Sequence, residues 1–142
     1  MYKKLSLLLL AAIISFSSCK KGAQKSACGT QVCTAIFATI GVNYKDKNNN
    51  PTSVNNFTVI NQRTNKQIYA TLTPGANFVP GYFIIADDGN RNEFSTDGDD
   101  IKVTATNPAT GQTKITLYKI SGGSCNCHID KVSGPEQVTF DQ

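Results

Sequence analysis

Four cysteines stand in two close pairs near the two ends of the chain, Cys28 and Cys33 in CGTQVC and Cys125 and Cys127 in SCNC. A fold that joins the pairs must bring its beginning beside its end, whatever lies between. An even set of this kind in a short exported chain is a disulfide framework by default. Four cysteines allow three pairings. On a strand, Cys125 and Cys127 would hold their Cα atoms about 6.6–6.8 Å apart with parallel side chains, at the outer edge of disulfide geometry. Each is therefore expected to bond a member of the N-terminal pair. Nested pairing, Cys28–Cys127 with Cys33–Cys125, suits antiparallel register and is the preferred reading. Crossed pairing, Cys28–Cys125 with Cys33–Cys127, suits parallel neighbours and stays open. Either pattern closes loops of roughly 90–100 residues, worth about 4.7 kcal/mol each in the chain-entropy model.

The N-terminus supplies the reason to expect export. Lys3 and Lys4 precede the apolar run LSLLLLAAIISF (Leu5–Phe16), and Ser17-Ser18 lead to a fifth cysteine, Cys19. A basic start, a short apolar stretch and small residues read as a secretory signal. The run falls short of the roughly 20 residues needed to span a bilayer, and no later segment is long or apolar enough. The ending FSSC resembles the lipobox of Bacteroidota-type lipoproteins, which implies lipidation of Cys19 as the first mature residue. More than one acyl chain there would make the anchor stable. The expected organisation is a signal peptide at 1–18, a lipidated tether at 19–27 and one domain at 28–142. In that group surface export resembles a rule of acidic residues after the cysteine. Here Lys20, Lys21, Gly22 and Ala23 follow, which implies the periplasmic face of the outer membrane rather than the cell surface.

Charge narrows the partners. The formal net charge is +4, but five of the 14 Lys and Arg precede Cys28, leaving nine bases against ten acids and a net charge of −1 from Cys28 onward. No basic stripe remains, so nucleic acid is not an expected partner. Lys20, Lys21 and Lys25 in the tether suit anionic lipid headgroups. The expected partners are the membrane, through the anchor, and an unidentified protein or glycan.

From Thr30 to Val42 the even positions Val32, Thr34, Ile36, Ala38, Ile40 and Val42 form one largely apolar face, the period of a strand. Further strands are expected at about 55–61, 67–73, 82–87, 100–106, 113–120, 126–132 and 136–140. Ile68, Ala70 and Leu72 alternate with polar residues in one of them, and Ile101, Val103 and Ala105 in another. The connections carry turn residues, as in Tyr44–Ser53 with Pro51, Asn107–Gly111 and Ser121–Gly123. No window shows a capped 3.6-residue period, so almost no helix is expected. Seven or eight short strands in about 124 residues predict a single all-β sandwich.

The segment FATIGVNYKDKNNNPTSVNNFTVIN resembles the opening of carboxypeptidase regulatory-like domains, and PGYFIIADD (Pro80–Asp88) is similar to their G-x-Y strand. The resemblance implies a transthyretin-like (prealbumin-like) sandwich, with an immunoglobulin-like strand order as the alternative. It also implies an accessory module without catalysis.

Candidate chemistry is sparse. Zinc at Cys28, Cys33, Cys125 and Cys127 would need knuckle spacing, and C-x-C is too short for the usual turn. Redox enzymes place C-x-x-C at a helix start, and neither pair has that form. His128 is the single histidine; on a strand it would face away from Cys127 and share a face with Asp130. The loop DDGNRNEFSTDGDD (Asp87–Asp100) places Asp88, Asn90 and Asn92 as a calcium loop would, with Asp99 at the twelfth position. Glu93 occupies the position where such a loop needs glycine, and the competing expectation is a polar connection with Phe94 tucked into the core. The expectation is therefore no catalytic residue, no cofactor and no resident metal. Calcium through the 87–100 loop and zinc through the cysteines are the alternatives. The loops Tyr44–Ser53 and Asp87–Asp100 are the expected contact surfaces.

Overall fold

Among the described residues, alternation along the chain becomes eight strands in two sheets. The computed structural model describes residues 28–29, 31–72 and 79–142, so the signal sequence, Cys19 and the tether lie outside the described residues. The strands are β1 (Thr39–Lys45), β2 (Asn55–Asn61), β3 (Lys66–Gln67), β4 (Tyr82–Asp87), β5 (Asp99–Thr106), β6 (Thr113–Ser121), β7 (Asp130–Ser133) and β8 (Gln137–Thr139). One sheet has the order β4-β1-β8 and the other β3-β2-β5-β6-β7. All neighbours are antiparallel except β1 and β8, which pair in parallel through Asn43–Lys45 and Gln137–Thr139. Packed face to face, the two sheets form a β-sandwich.

The core follows the period of two. Ile40, Val42 and Tyr44 of β1 face Ile101, Val103 and Ala105 of β5 and Tyr118 and Ile120 of β6 in one buried cluster. Tyr44 stacks on Phe140 at 5.8 Å between ring centroids and meets Phe57 and Phe83 edge-on. Gly41 is needed beside this layer, because a Cβ there would lie 2.3 Å from the Tyr82 ring. Burial raises the Tyr44 hydroxyl pKa to about 12.

Three expected strands are corrected. Residues 31–38, expected within a Thr30–Val42 strand, are not part of one: β1 starts at Thr39, opposite Asp87 at the end of β4, and Thr30 lies outside the described residues. Past that point β4 turns into a 3₁₀ helix, Asp88–Glu93, so residues 31–38 have no ladder to join. The strand expected at 67–73 shrinks to Lys66–Gln67. Ile68–Leu72 instead crosses toward the other sheet, where the Leu72 N–H donates to the Asp87 carboxylate at 2.7 Å; Thr73 lies outside the described residues. The strand expected from Asn126 begins only at Asp130, which leaves Cys125, Cys127 and His128 in an irregular turn.

Candidate functional site

Three irregular segments converge at the end of the sandwich where β1 begins: a strap (31–38), the loop after β4 (87–98) and the turn after β6 (122–129). The disulfides join Cys28 to Cys125, with Cα atoms 5.1 Å apart, and Cys33 to Cys127, with Cα atoms 5.3 Å apart. The preferred nested pairing is thus corrected to the crossed one. Register between antiparallel strands was its premise, and neither cysteine pair lies on a strand. With the four sulfurs bonded two and two, the tetrathiolate considered for zinc has no free thiolates. Each bridge closes more than 90 residues of chain, 97 and 94 in sequence separation, and so restricts the unfolded chain across nearly the whole domain.

The glycines before Cys125 make this junction close enough. The Gly122 N–H donates to the Ser95 carbonyl at 3.0 Å, and the Gly123 N–H to the Arg91 carbonyl at 2.6 Å. A Cβ on Gly122 would lie 2.5 Å from the Arg91 carbonyl oxygen, and Gly123 has a φ of +82°, where glycine is favoured. The turn is pressed against the 87–98 loop, and Arg91 Nη1 completes the contact by donating to the Cys127 carbonyl at 3.2 Å.

Crossed pairing has a consequence one residue further along. Thr34 follows Cys33 and His128 follows Cys127, so the bridge sets them side by side. Thr34 Oγ1 lies 3.0 Å from His128 Nε2, and His128 Nδ1 lies 2.6 Å from Asp88 Oδ2. Asp88 also accepts the Ala38 N–H at 2.8 Å and the Ile129 N–H at 2.9 Å. One carboxylate therefore holds the strap at Ala38 and the turn at both His128 and Ile129. Burial works against its ionised form, and the bonds from Ala38, His128 and Ile129 outweigh that, holding its pKa below the usual carboxylate value.

Hydroxyl, imidazole and carboxylate in line are the parts of a nucleophile relay. Here every member also ties two chain segments together. Thr34 belongs to the exposed strap, and three clefts among the described residues are lined by other side chains, one of about 310 Å³ passing beside the site at Ala38 and Ile129. Another, of about 530 Å³, runs past Arg63, Asn92, Thr96 and Ser124, and one of about 260 Å³ lies between Phe57, Tyr69, Leu72 and Phe83. The arrangement works as a latch. His128 also does not pair with Asp130, which is exposed at the start of β7; the imidazole turns instead to a carboxylate 40 residues away in sequence.

The acidic loop scatters its calcium-like oxygens instead of gathering them. Asp88 serves the latch. Asn90 is buried, accepting the Asp87 N–H and donating to the Tyr69 carbonyl and to Glu93. Asn92 is exposed on the lip of the 530 Å³ cleft. Asp99 sits in a separate cluster, where Arg63 donates to it at 2.7 and 2.9 Å, Asn61 at 2.7 Å and Ser95 at 2.7 Å. Among the described residues no group of three or more His, Cys, Asp or Glu side chains could hold a metal ion. Phe94 is buried, as the polar-connection reading expects.

Sequence reasoning missed the Asp88–His128–Thr34 line. The partners lie 40 and 94 residues apart, beyond any local pattern; only the crossed pairing would have pointed to Thr34 and His128 as neighbours. Comparison with protein-family models, with curated proteins and with solved structures finds no match for this chain.

Proposed function

We propose that the protein is a non-catalytic, lipid-anchored module of the cell envelope, tethered through Cys19 and facing the periplasm, that binds or scaffolds a protein or glycan. The observation that carries this reading is the sequence Lys3–Lys4, apolar run, Ser17-Ser18-Cys19, followed within nine residues by a stapled β-domain. Two disulfides suit an oxidising compartment. A sandwich whose polar clusters are occupied in holding loops supports a recognition role over chemistry, and the resemblance to carboxypeptidase regulatory-like domains points the same way.

The two loops expected to share the contact surface lie at opposite ends of β1. The 87–98 loop sits beside Thr39 and the staples, whereas the 46–51 turn follows Lys45, about 20 Å further along the strand. Lys47–Pro51 is exposed, and its shape is fixed from within, because Asp46 accepts the N–H groups of Asn48 and Asn50. That turn is the recognition tip under this reading. Membrane fractionation of wild type and Cys19→Ala tests the anchor: wild type is expected in the membrane pellet and the variant in the soluble fraction. A variant that stays in the pellet overturns it. Capture of envelope partners by the mature domain, lost on replacing Asn48 and Asn49 by Ala, tests the tip.

A further inference from the structure

The strap is apolar, uncharged and uncovered. Residues 28–38 contain no Asp, Glu, Lys, Arg or His. Val32 is 95% exposed, Ile36 70% and Phe37 52%. Three exposed apolar side chains within six residues are not a statistical scatter of surface hydrophobics. The segment is also fixed in place, by the Cys33–Cys127 bridge, by Thr34 on His128 and by Ala38 on Asp88.

Its position in the chain says what faces it. Cys28, three residues before the strap, is nine residues from Cys19, and even a fully extended chain covers at most about 32 Å over that distance. Three of the intervening residues are Lys20, Lys21 and Lys25. Resting on the anchored reading above, we infer that the strap is a membrane-contact surface: Val32, Ile36 and Phe37 rest in the headgroup–acyl boundary of the bilayer that holds Cys19. An uncharged strap meets no repulsion from anionic headgroups, and the neighbouring lysines are drawn to them. Confinement by the anchor keeps the local concentration of the strap at the surface high, so a small apolar contact suffices to orient the domain. The 46–51 turn, at the other end of β1, then points away from the bilayer.

The chain contains no tryptophan, so a single introduced one reports its own surroundings. The experiment uses the full-length gene product, processed and lipidated, reconstituted in vesicles of phosphatidylglycerol with brominated phosphatidylcholine. In Phe37→Trp the emission is expected to shift to the blue and to be quenched by the brominated chains; in Asn48→Trp neither change is expected. Adding Val32→Asp and Ile36→Asp to Phe37→Trp should abolish the quenching at an unchanged thermal midpoint, because both positions are exposed. Vesicles that float with the Phe37→Trp protein while its indole stays unquenched overturn the inference and leave the anchor standing. An indole at position 37 that is shielded from an aqueous quencher but not touched by lipid indicates a protein occupant and overturns it as well. Equal quenching at positions 37 and 48 overturns the orientation. Protein that fails to float with the vesicles overturns the anchored reading, and this inference falls with it.

Discussion

The strap and β5 each carry a largely apolar face at a period of two and meet opposite fates. Ile101, Val103 and Ala105 of β5 are fully buried, whereas Val32 and Ile36 of the strap stand in the open. The difference lies in their neighbours. β5 is hydrogen-bonded along its length to β2 on one side and β6 on the other. Beside the strap β4 has already ended and Asp87 has capped a 3₁₀ helix, accepting the Gly89 N–H at 2.8 Å while Asn90 accepts the Asp87 N–H. Alternation assigns a face to a segment, but a ladder on its flanks is needed to bury it. Without one, the strap is held by a covalent bridge, by Thr34 on His128 and by Ala38 on the Asp88 carboxylate.

The sharpest way to break this contrast is to cut the bridges. Replacing Cys33 and Cys127 by Ser together with Cys28 and Cys125, so that neither bridge keeps the long loop closed, is expected to cost about 4 kcal/mol in urea unfolding, and to open residues 31–38 to limited proteolysis. A loss below about 1 kcal/mol would mean that the unfolded chain is already compact enough to gain little from the staples. Truncation tests the two segments directly. Ile101→Ala should lower stability by about 3 kcal/mol, and Ile36→Ala by less than about 0.5 kcal/mol, since only the first leaves a cavity. Comparable losses would show the strap to be packed.

The polar clusters separate by pH. Burial opposes ionisation of Asp99, and the bonds from Arg63, Ser95 and Asn61 outweigh it, so its carboxyl titrates well below the ordinary value of 3.8. A depressed folded-state pKa contributes stability that is complete above the unfolded value and is lost as the pH falls through the folded one. The shift at Asp88 has the same direction. Thermal unfolding from pH 7 down to 2 should therefore show a midpoint that falls mainly below about pH 4. Asp99→Asn should flatten part of that slope and cost about 2 kcal/mol at neutral pH, because the buried Asn61 loses a charged partner. An unaltered acid slope in the variant would remove Asp99 from the account.

The smallest effect belongs inside the core. Among the described residues the buried Tyr118 hydroxyl finds no hydrogen-bond partner, and burial raises its pKa far above the ordinary value, with Tyr44 and Glu136 adding to the shift. Tyr118→Phe should leave unfolding unchanged or raise stability by up to about 1 kcal/mol. A loss instead would reveal a partner for that oxygen. The ring itself is fixed by its neighbour, since a Cβ on Gly134 would come within 2.2 Å of it.

Much of the sandwich was legible from short-range pattern. β2 and β4 fall where the β-branched and aromatic runs place them, and β5 and β6 extend the expected spans by one residue each. Phe94 was also readable, as the lone large apolar residue in a polar loop. The expected strands failed where a side chain took over a backbone donor. Asp87 captures the Leu72 N–H and Asp88 the N–H groups of Ala38 and Ile129, so that these segments leave the ladders that their alternation favours. A carboxylate able to do this looks, in sequence, like any other acidic loop residue.

By itself the sequence determined the class of fold, because a period of two between turn residues has one economical solution in a chain of this length. It also determined that the two cysteine pairs must meet, since C-x-C cannot comfortably close on itself. Only the tertiary structure decided which sulfur meets which, because that depends on how a strap without a ladder lies against a turn. The same docking put Thr34 on His128 and His128 on Asp88, and it left Val32, Ile36 and Phe37 facing outward. Contacts across 40 and 94 residues are set by packing and chain closure, and neither leaves a local trace in the order of the amino acids.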